Sequence, residues 1–206
     1  MKPKLLILVA TPLLLISFSS CENPADKTAD AEVGEAAPVA SATGGSTYQF
    51  TENSTIEFTG SKVTGSQSGG FKNFEGIFSV KDGEPTSGEF TIDMDSTFSE
   101  NPKLTAHLKD ADFFDVPQYP ETKFAVTTFT KTSDKNYDLS GNLTLHGITK
   151  NITFPTKVDV SEERIKVSAE FDIKRTDFGI IYPGKKDDLI RDEVIIKFEL
   201  EAKPAS

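Results

Sequence analysis

Few side chains in this chain could carry out chemistry, and they do not combine into a catalytic set. The 206 residues include two histidines, His107 and His146, and one cysteine, Cys21. Zinc enzymes and nucleophilic hydrolases need several such groups at defined spacings, and the chain has no HExxH, paired CxxC or GxSxG pattern. The sequence therefore argues against a hydrolase or a metal-dependent enzyme.

Three aspartates, Asp110, Asp112 and Asp115, stand close together in the segment HLKDADFFDVPQYPETKF, residues 107–124. Carboxylates can bind a cation, but Phe113 and Phe114 lie between these three. That mixture is more typical of solvated acids at the end of a helix. We therefore predict no metal site.

The elements that would position these residues are mainly β-strands. From residue 48 onward apolar residues recur at every second position, as in 165–173, and turn sequences such as 81–83 and 182–184 separate the runs. Alternation of this kind indicates antiparallel strands with one wet face. About eight strands in 160 residues predict an all-β fold, either a closed barrel or a sandwich.

Three further features are assigned to the ends of this fold. A short helix is predicted near 102–115, with Pro102 at its start, and it should cap one end. The Ser/Gly tract 64–70 favours a mobile loop. Arg175 stands where a strand ends, and Asp177 is its expected partner.

The N-terminal 47 residues have the composition of an export signal followed by a tether. In residues 1–20 a positive start precedes an apolar run that is too short to span a bilayer, which is typical of a secretory signal peptide. Cys21 stands where bacterial lipoproteins are lipidated; the alternative is a free thiol on a secreted protein. Residues 21–47 contain almost no large apolar groups and predict a flexible tether, which leaves 48–206 as the folded domain.

The charge and the aromatic content narrow the class of partner. The net charge of −10 argues against nucleic acid, because phosphate contacts need clustered Lys and Arg, and it also argues against electrostatic attraction to anionic lipid. The chain holds 16 Phe and no Trp. Phe side chains could line an apolar cavity, although composition alone favours an ordinary aromatic core.

Six segments, in order along the chain, resemble the YceI family of bacterial periplasmic proteins with a lipocalin-like barrel that binds polyisoprenoids. They are STIEFTGSKVTG at 54–65, GGFKNFEGIF at 69–78, HLKDADFFDVPQYPETKF at 107–124, LSGNLTLHGITK at 139–150, FDIKRTDFGI at 171–180 and DEVIIKFELEAK at 192–203. The resemblance implies an antiparallel barrel of about eight strands around an apolar cavity. It also implies a long isoprenoid ligand, of the quinone or polyprenyl type. Because the catalytic motifs are missing, we expect no further cofactor and no catalysis.

On this basis we expect the cavity to be lined by phenylalanines from the matching segments. Both histidines fall inside family motifs and could either be structural or meet a ligand headgroup. The candidate ligand-binding residues are Phe58, Phe71, Phe74, Phe78, Phe90, His107, Phe113, Phe114, Phe124, Phe129, His146 and Phe178.

The favoured hypothesis is therefore a membrane-tethered protein that binds, stores or carries an isoprenoid or other long-chain apolar lipid. Two alternatives stay open: a solid barrel whose surface binds a protein partner, and an enzyme acting on an isoprenoid headgroup. The expected location is the cell envelope. An anchor in the outer membrane is favoured over the periplasmic face of another membrane, because Cys21 is followed by Glu22 and not by the Asp that retains some lipoproteins at the inner membrane. The family resemblance also suggests a homodimer.

Overall fold

The protein is almost entirely built of β-strands. A computed structural model describes residues 23–41 and 44–205. In chain order its strands are β1 (Ala29–Asp30), β2 (Glu32–Glu35), β3 (Ser46–Phe50), β4 (Thr55–Lys62), β5 (Gly65–Phe71), β6 (Phe74–Lys81), β7 (Glu84–Asp93), β8 (Thr97–Ser99), β9 (Glu121–Ser133), β10 (Asn136–Leu145), β11 (Ile148–Val160), β12 (Ile165–Lys174), β13 (Gly184–Lys185) and β14 (Asp188–Pro204). The helical elements are α1 (Pro102–Lys109) and the 3₁₀ turns Pro24–Lys27, Met94–Ser96 and Arg175–Phe178.

Within the described residues, eight strands close into a barrel in the order β12-β11-β10-β9-β7-β6-β3-β14, and β14 returns to β12. Every pairing around the ring is antiparallel. The other edge of β14 pairs with β4 and then with β3. Strands β4, β5 and β8 therefore extend the wall at one end. The predicted antiparallel barrel of about eight strands is confirmed.

The alternation seen in the sequence sets the barrel interior. Phe90 on β7 lies opposite Phe124 on β9, which in turn lies opposite Leu143 on β10. The rings of Phe154 and Phe171, from β11 and β12, stack with centroids 3.9 Å apart. Because side chains alternate between the two faces of a strand, this register directs one apolar set inward.

The helix is present but shorter than predicted. Its N-terminus is capped by the Asn101 side chain, which accepts a hydrogen bond of 2.9 Å from the Lys103 N–H. It ends at Lys109, since Asp110 takes an extended conformation and tight turns follow. Asp115 has a φ of 45° in these turns. The turns fold Phe113 back onto the barrel, which is why residues 110–115 do not continue the helix.

The Ser/Gly tract 64–70 was predicted to be a loop, and this prediction is wrong. Residues 65–71 form strand β5, which pairs with β4 and β8. A glycine is needed at position 69 because neighbouring groups come close to its backbone. A Cβ there would lie 2.2 Å from the Phe98 carbonyl oxygen and 2.6 Å from the Phe58 ring. The small residues thus allow tight packing of neighbouring groups.

The N-terminal segment 23–40, which we call the strap, differs from the predicted tether. Strand β11 pairs with β12 only near their connecting turn. Where the two strands diverge, β1 pairs with β12 and β2 with β11, so that the strap fills the gap. The edges of a divergent sheet carry unpaired N–H and C=O groups, and the strap satisfies them. Residues 1–22, including the predicted signal and Cys21, lie outside the described part.

Candidate functional site

The barrel is not solid. It encloses a cavity of about 160 Å³ whose exposed wall is apolar. Strands β4, β5, β7, β9, β10, β11, β12 and β14 contribute side chains, and the segment 108–114 covers one end. Such a cavity can shield a hydrocarbon from water without offering it specific polar contacts.

Six of the predicted ligand-binding phenylalanines lie in this wall. At the helix end, Phe58, Phe71 and Phe114 pack together with ring centroids 5.7–6.4 Å apart. Deeper inside, Phe90 and Phe124 stack at 5.2 Å. The six are Phe58, Phe71, Phe90, Phe113, Phe114 and Phe124.

The other four predicted phenylalanines do not line the cavity. Phe74 and Phe78 pack around Phe50, at 6.5 and 5.2 Å between centroids. Phe129 stands edge-on to Tyr137. Phe178 is completely buried in the 3₁₀ turn Arg175–Phe178. These residues fill the core and do not surround empty space.

Neither histidine lies in the cavity wall. The His107 ring packs edge-on against Phe113 and Tyr182 outside the mouth, and its Nδ1 is 3.4 Å from a carboxylate oxygen of Asp110. The His146 Nδ1 is 3.2 Å from the Phe178 carbonyl oxygen, and the ring contacts Tyr119. The two histidines have separate partners and form no acid–base pair.

Several wall residues were missed by the sequence prediction. Three are aromatic, Phe154, Phe171 and Phe198, and the Phe198 ring meets Phe154 at 5.9 Å and Phe171 at 6.2 Å. Strand alternation contained the signal, since Ile152 and Phe154 share a face, as do Phe171 and Ile173. The aliphatic wall residues are Ile56, Ile92, Leu108, Leu143, Leu145, Ile152, Ile173, Ile180, Ile190, Val194 and Ile196.

Arg175 is a charged member of the wall, and the prediction of Asp177 as its partner is wrong. Its guanidinium donates to the carbonyl oxygens of Arg191 (3.0 Å), Ile180 (2.6 Å) and Ile190 (3.3 Å). It also donates to Asp192 at 3.2 Å. Burying a guanidinium is tolerated here because these acceptors are supplied. Together they tie the loop that contains Ile180 to the first residues of β14 at the mouth.

Thr122 is the other polar group in the wall that matters for binding. Its side chain is buried opposite Ile92, and within the described structure its hydroxyl has no hydrogen-bond partner. Buried hydroxyls are normally paired, so this one is available to an acceptor atom on a ligand.

A groove of about 380 Å³ continues from the cavity to the surface. It shares Phe58, Leu108, Phe113 and Ile190 with the cavity wall, and Tyr182 and the predicted ligand-binding residue His107 also line it. Cavity and groove together fall within the ~300–1,000 Å³ range of ligand pockets. A chain molecule could therefore extend from the interior through the mouth into the groove.

Residues 48–202 match the YceI-like domain. The chain belongs to the YceI-like family. The described part of this YceI-like protein has no helix with the length and apolar character needed to cross a bilayer. Nor do its described residues include three His, Cys, Asp or Glu side chains placed to hold a metal ion.

The relatives of this YceI-like protein agree with that assignment. The UPF0312 protein of Pseudomonas putida (strain F1) is 36% identical over 124 residues, which is 56% of this chain and 65% of the relative. The UPF0312 protein of Pseudomonas fluorescens (strain SBW25) is 32% identical over 124 residues, with the same two coverages. The alignments thus leave about a third of those relatives unmatched.

Solved structures show the same fold. Burkholderia cenocepacia BcnA superposes with a TM-score of 0.67 at 23% identity, covering 73% of this chain and 97% of that one. A polyisoprenoid binding domain from Saccharophagus degradans gives a TM-score of 0.65 at 20% identity, covering 79% and 100%. At these sequence identities, the structural similarity establishes only that the proteins share the YceI-like barrel fold.

Proposed function

We propose that this protein binds an isoprenoid lipid in its barrel, and that it stores or carries the lipid without changing it chemically. The observation that carries the proposal is the enclosed apolar cavity with a mouth opening onto a groove. The Saccharophagus degradans neighbour, a polyisoprenoid binding domain of the same fold, supports the ligand class.

The physical chemistry favours a long flexible hydrocarbon. Each Å² of apolar surface removed from water stabilises the bound state by ~25 cal/mol, and an isoprenoid tail offers such surface along its whole length. The cavity of about 160 Å³ holds only part of a long tail. The remainder would lie in the groove, between Leu104, Phe113 and Tyr182.

We propose a binding role and not a catalytic one, because the two histidines do not meet at one site. His107 and His146 are the side chains best suited to acid–base chemistry at neutral pH; His107 lines the groove, and His146 lines neither the groove nor the cavity. The polar groups facing the cavity, Arg175 and Thr122, suit binding: one is held by backbone carbonyls and the other is a hydroxyl.

We also propose export to the cell envelope and attachment to a membrane through acylated Cys21, with the outer membrane favoured. Support comes from the sequence: the apolar run before Cys21 and the Glu that follows it. Such an anchor would keep the barrel beside the bilayer in which isoprenoid lipids dissolve.

Lipid extraction with native mass spectrometry tests the proposed function. Protein produced from the full chain in its own host should carry an isoprenoid. Ile152→Phe projects a ring into the cavity and should abolish lipid binding with little loss of stability. Leu139→Phe is the control: Leu139 is buried but does not line the cavity, so overpacking should cost ~1–3 kcal/mol while the lipid is retained.

Two results would contradict the proposal. One is wild-type protein, gently purified, from which no isoprenoid can be extracted. The other is loss of lipid from both variants in proportion to their loss of stability, which would show that the Ile152 position has no special relation to the ligand.

A further inference from the structure

Three large apolar side chains are exposed around the cavity mouth. Val63 lies in the turn between β4 and β5, Leu189 at the start of β14, and Ile181 before β13. Their exposed fractions are 50%, 50% and 73%. Single exposed apolar residues are ordinary, but a group of them at one opening indicates a contact surface.

We call these three residues the rim. Asp188, the first residue of β14, joins the start of that strand to the turn that carries Val63. Its carboxylate accepts hydrogen bonds from the Lys62 ammonium and from the Thr64 N–H (3.2 Å) and hydroxyl (2.9 Å). Val63 lies between Lys62 and Thr64, and Leu189 follows Asp188. Ile181 lies between Ile180 of the cavity wall and Tyr182 of the groove. The rim therefore borders the path that a ligand would take.

The charge around the rim differs from that of the whole chain. The β13–β14 hairpin carries Lys185 and Lys186 together with Asp187 and Asp188, and Asp188 is paired with Lys62. This patch has no excess of negative charge, whereas the chain carries −10. An anionic or zwitterionic surface could therefore approach here without strong repulsion.

The chain also enters the described structure beside the rim. Asn23 is held by Ser61 (3.3 Å) and Glu193 (3.4 Å) on the outer wall. Val63 is two residues beyond Ser61, which is ~7 Å along a strand. The 22 preceding residues include the apolar run Leu5–Ile16 and Cys21. Any membrane attachment through that segment would therefore lie next to the rim.

We propose that the rim docks on a lipid bilayer, so that the barrel sits with its cavity mouth against the membrane. Val63, Ile181 and Leu189 would enter the interfacial region, where their apolar surface leaves water. The strap favours this orientation, because it begins beside the rim, at Asn23. Docking extends the proposed function, since it would let a lipid pass directly between bilayer and cavity, but it does not depend on a bound isoprenoid.

Tryptophan quenching tests the docking, because the chain has no Trp of its own. Ile181→Trp places a reporter in the rim, and Val39→Trp places one at an equally exposed position on the strap, where Val39 is 50% exposed. Both proteins are produced from the full chain with natural processing retained. Each is mixed with phosphatidylcholine vesicles whose acyl chains carry bromine, a contact quencher of tryptophan.

We expect severalfold stronger quenching at position 181 than at position 39. Adding Val63→Ser and Leu189→Ser to the Ile181→Trp protein should remove most of that difference without changing the melting temperature. Equal quenching at both positions, or none at either, would overturn the docking proposal. The vesicles contain no isoprenoid, so this result is independent of whether lipid is recovered in the extraction experiment.

Discussion

At the scale of single residues, Arg175 controls how the mouth is held together. It is 6% exposed, and its donors reach backbone acceptors on the loop that contains Ile180 and on the first residues of β14. A lysine could not reproduce this, because the planar guanidinium presents several donors in fixed directions. Arg175 therefore holds the loop that contains Ile180 against β14, from a position inside the cavity wall.

Replacing Arg175 with Met should destabilise the protein by about 3–5 kcal/mol, because the carbonyl oxygens and Asp192 lose a buried charged partner. The melting temperature should fall by on the order of 10 °C in thermal unfolding. Arg164→Met, at an exposed position, serves as the control and should change little. Similar melting of the two variants would contradict the assigned role.

Thr122→Val should reveal whether the ligand has a polar end in the cavity. The substitution preserves shape and removes a hydroxyl that has no partner within the described structure, so the stability of the empty protein should be unchanged or higher. Affinity for an isoprenoid with a carbonyl or hydroxyl end should fall roughly fivefold to tenfold, by the loss of one hydrogen bond.

Thr156→Val is the matched control for that experiment. Thr156 is also buried with an unpartnered hydroxyl, but it lies away from the cavity wall. Isothermal titration with a polyprenol and with the corresponding saturated hydrocarbon would separate the headgroup from the tail. Equal affinity of both Thr variants for the polyprenol would refute a polar contact at Thr122.

Sequence reasoning placed Phe58, Phe90 and Phe124 correctly but could not separate them from Phe78 or Phe129. Alternation tells which side chains point inward, whereas cavity lining also depends on depth along the barrel axis. That depth follows from pairing register, such as Phe90 opposite Phe124, which is a long-range property. The sequence could therefore predict that phenylalanines line the site, but only in part which phenylalanines these are.

At the scale of elements, the strap covers Asp172, an acid on the outer wall. Asp172 is 3% exposed, and its carboxylate accepts a hydrogen bond of 2.7 Å from the Thr28 hydroxyl. Burial raises the pKa of Asp172; the Thr28 hydrogen bond opposes this, and the carboxylates of Asp30 and Glu193 raise it further. Docking of the strap is thus coupled to protonation of Asp172.

Because the pKa of Asp172 is raised, the docked strap should be more stable at acidic pH than at neutral pH. A carboxyl whose folded-state pKa is raised stabilises the fold fully below its unfolded value of ~3.9, and that stabilisation is lost as the pH rises through the folded value. Asp172→Asn should therefore melt above wild type at neutral pH, with the difference shrinking toward about pH 4. Asp112→Asn, at an exposed site, should show no such trend.

Thermal unfolding across this pH range, together with hydrogen exchange of residues 23–40, checks the prediction. Asn keeps an acceptor for the Thr28 hydroxyl, so the variant removes the charge and retains the contact. A difference between wild type and Asp172→Asn that did not vary with pH would count against the coupling.

Two elements escaped prediction for a shared physical reason. Strand β5 and the strap are poor in large apolar residues, so their hydrophobic pattern is weak. Both are held by backbone pairing to strand edges that exist only after the barrel has formed. The barrel strands and the start of α1 were predictable because alternation and a proline at the first helical turn act locally.

At the scale of the whole molecule, ligand and barrel should stabilise each other. A lipid bound at 100 times its dissociation constant adds ~2.7 kcal/mol to the free energy of unfolding. Removing the lipid by gentle extraction should therefore lower the melting temperature by about 5–10 °C, and adding it back should restore the difference. Calorimetry of extracted and lipid-loaded protein measures this.

The cavity-filling variant Ile152→Phe provides the control for lipid removal. It should melt at the same temperature before and after extraction, because it has no lipid to lose. If wild type also melted unchanged, the recovered lipid would be bound outside the barrel.

The barrel cannot close until strand β14 has been synthesised. This strand follows every other barrel strand in the chain, yet it joins β12 on one edge to β3 on the other. Until it emerges during synthesis, the curved sheet has two open edges that cannot meet. A nascent chain in this condition is open to chaperones and to threading through a narrow pore. Closure of the barrel therefore depends on the last of its strands to be synthesised.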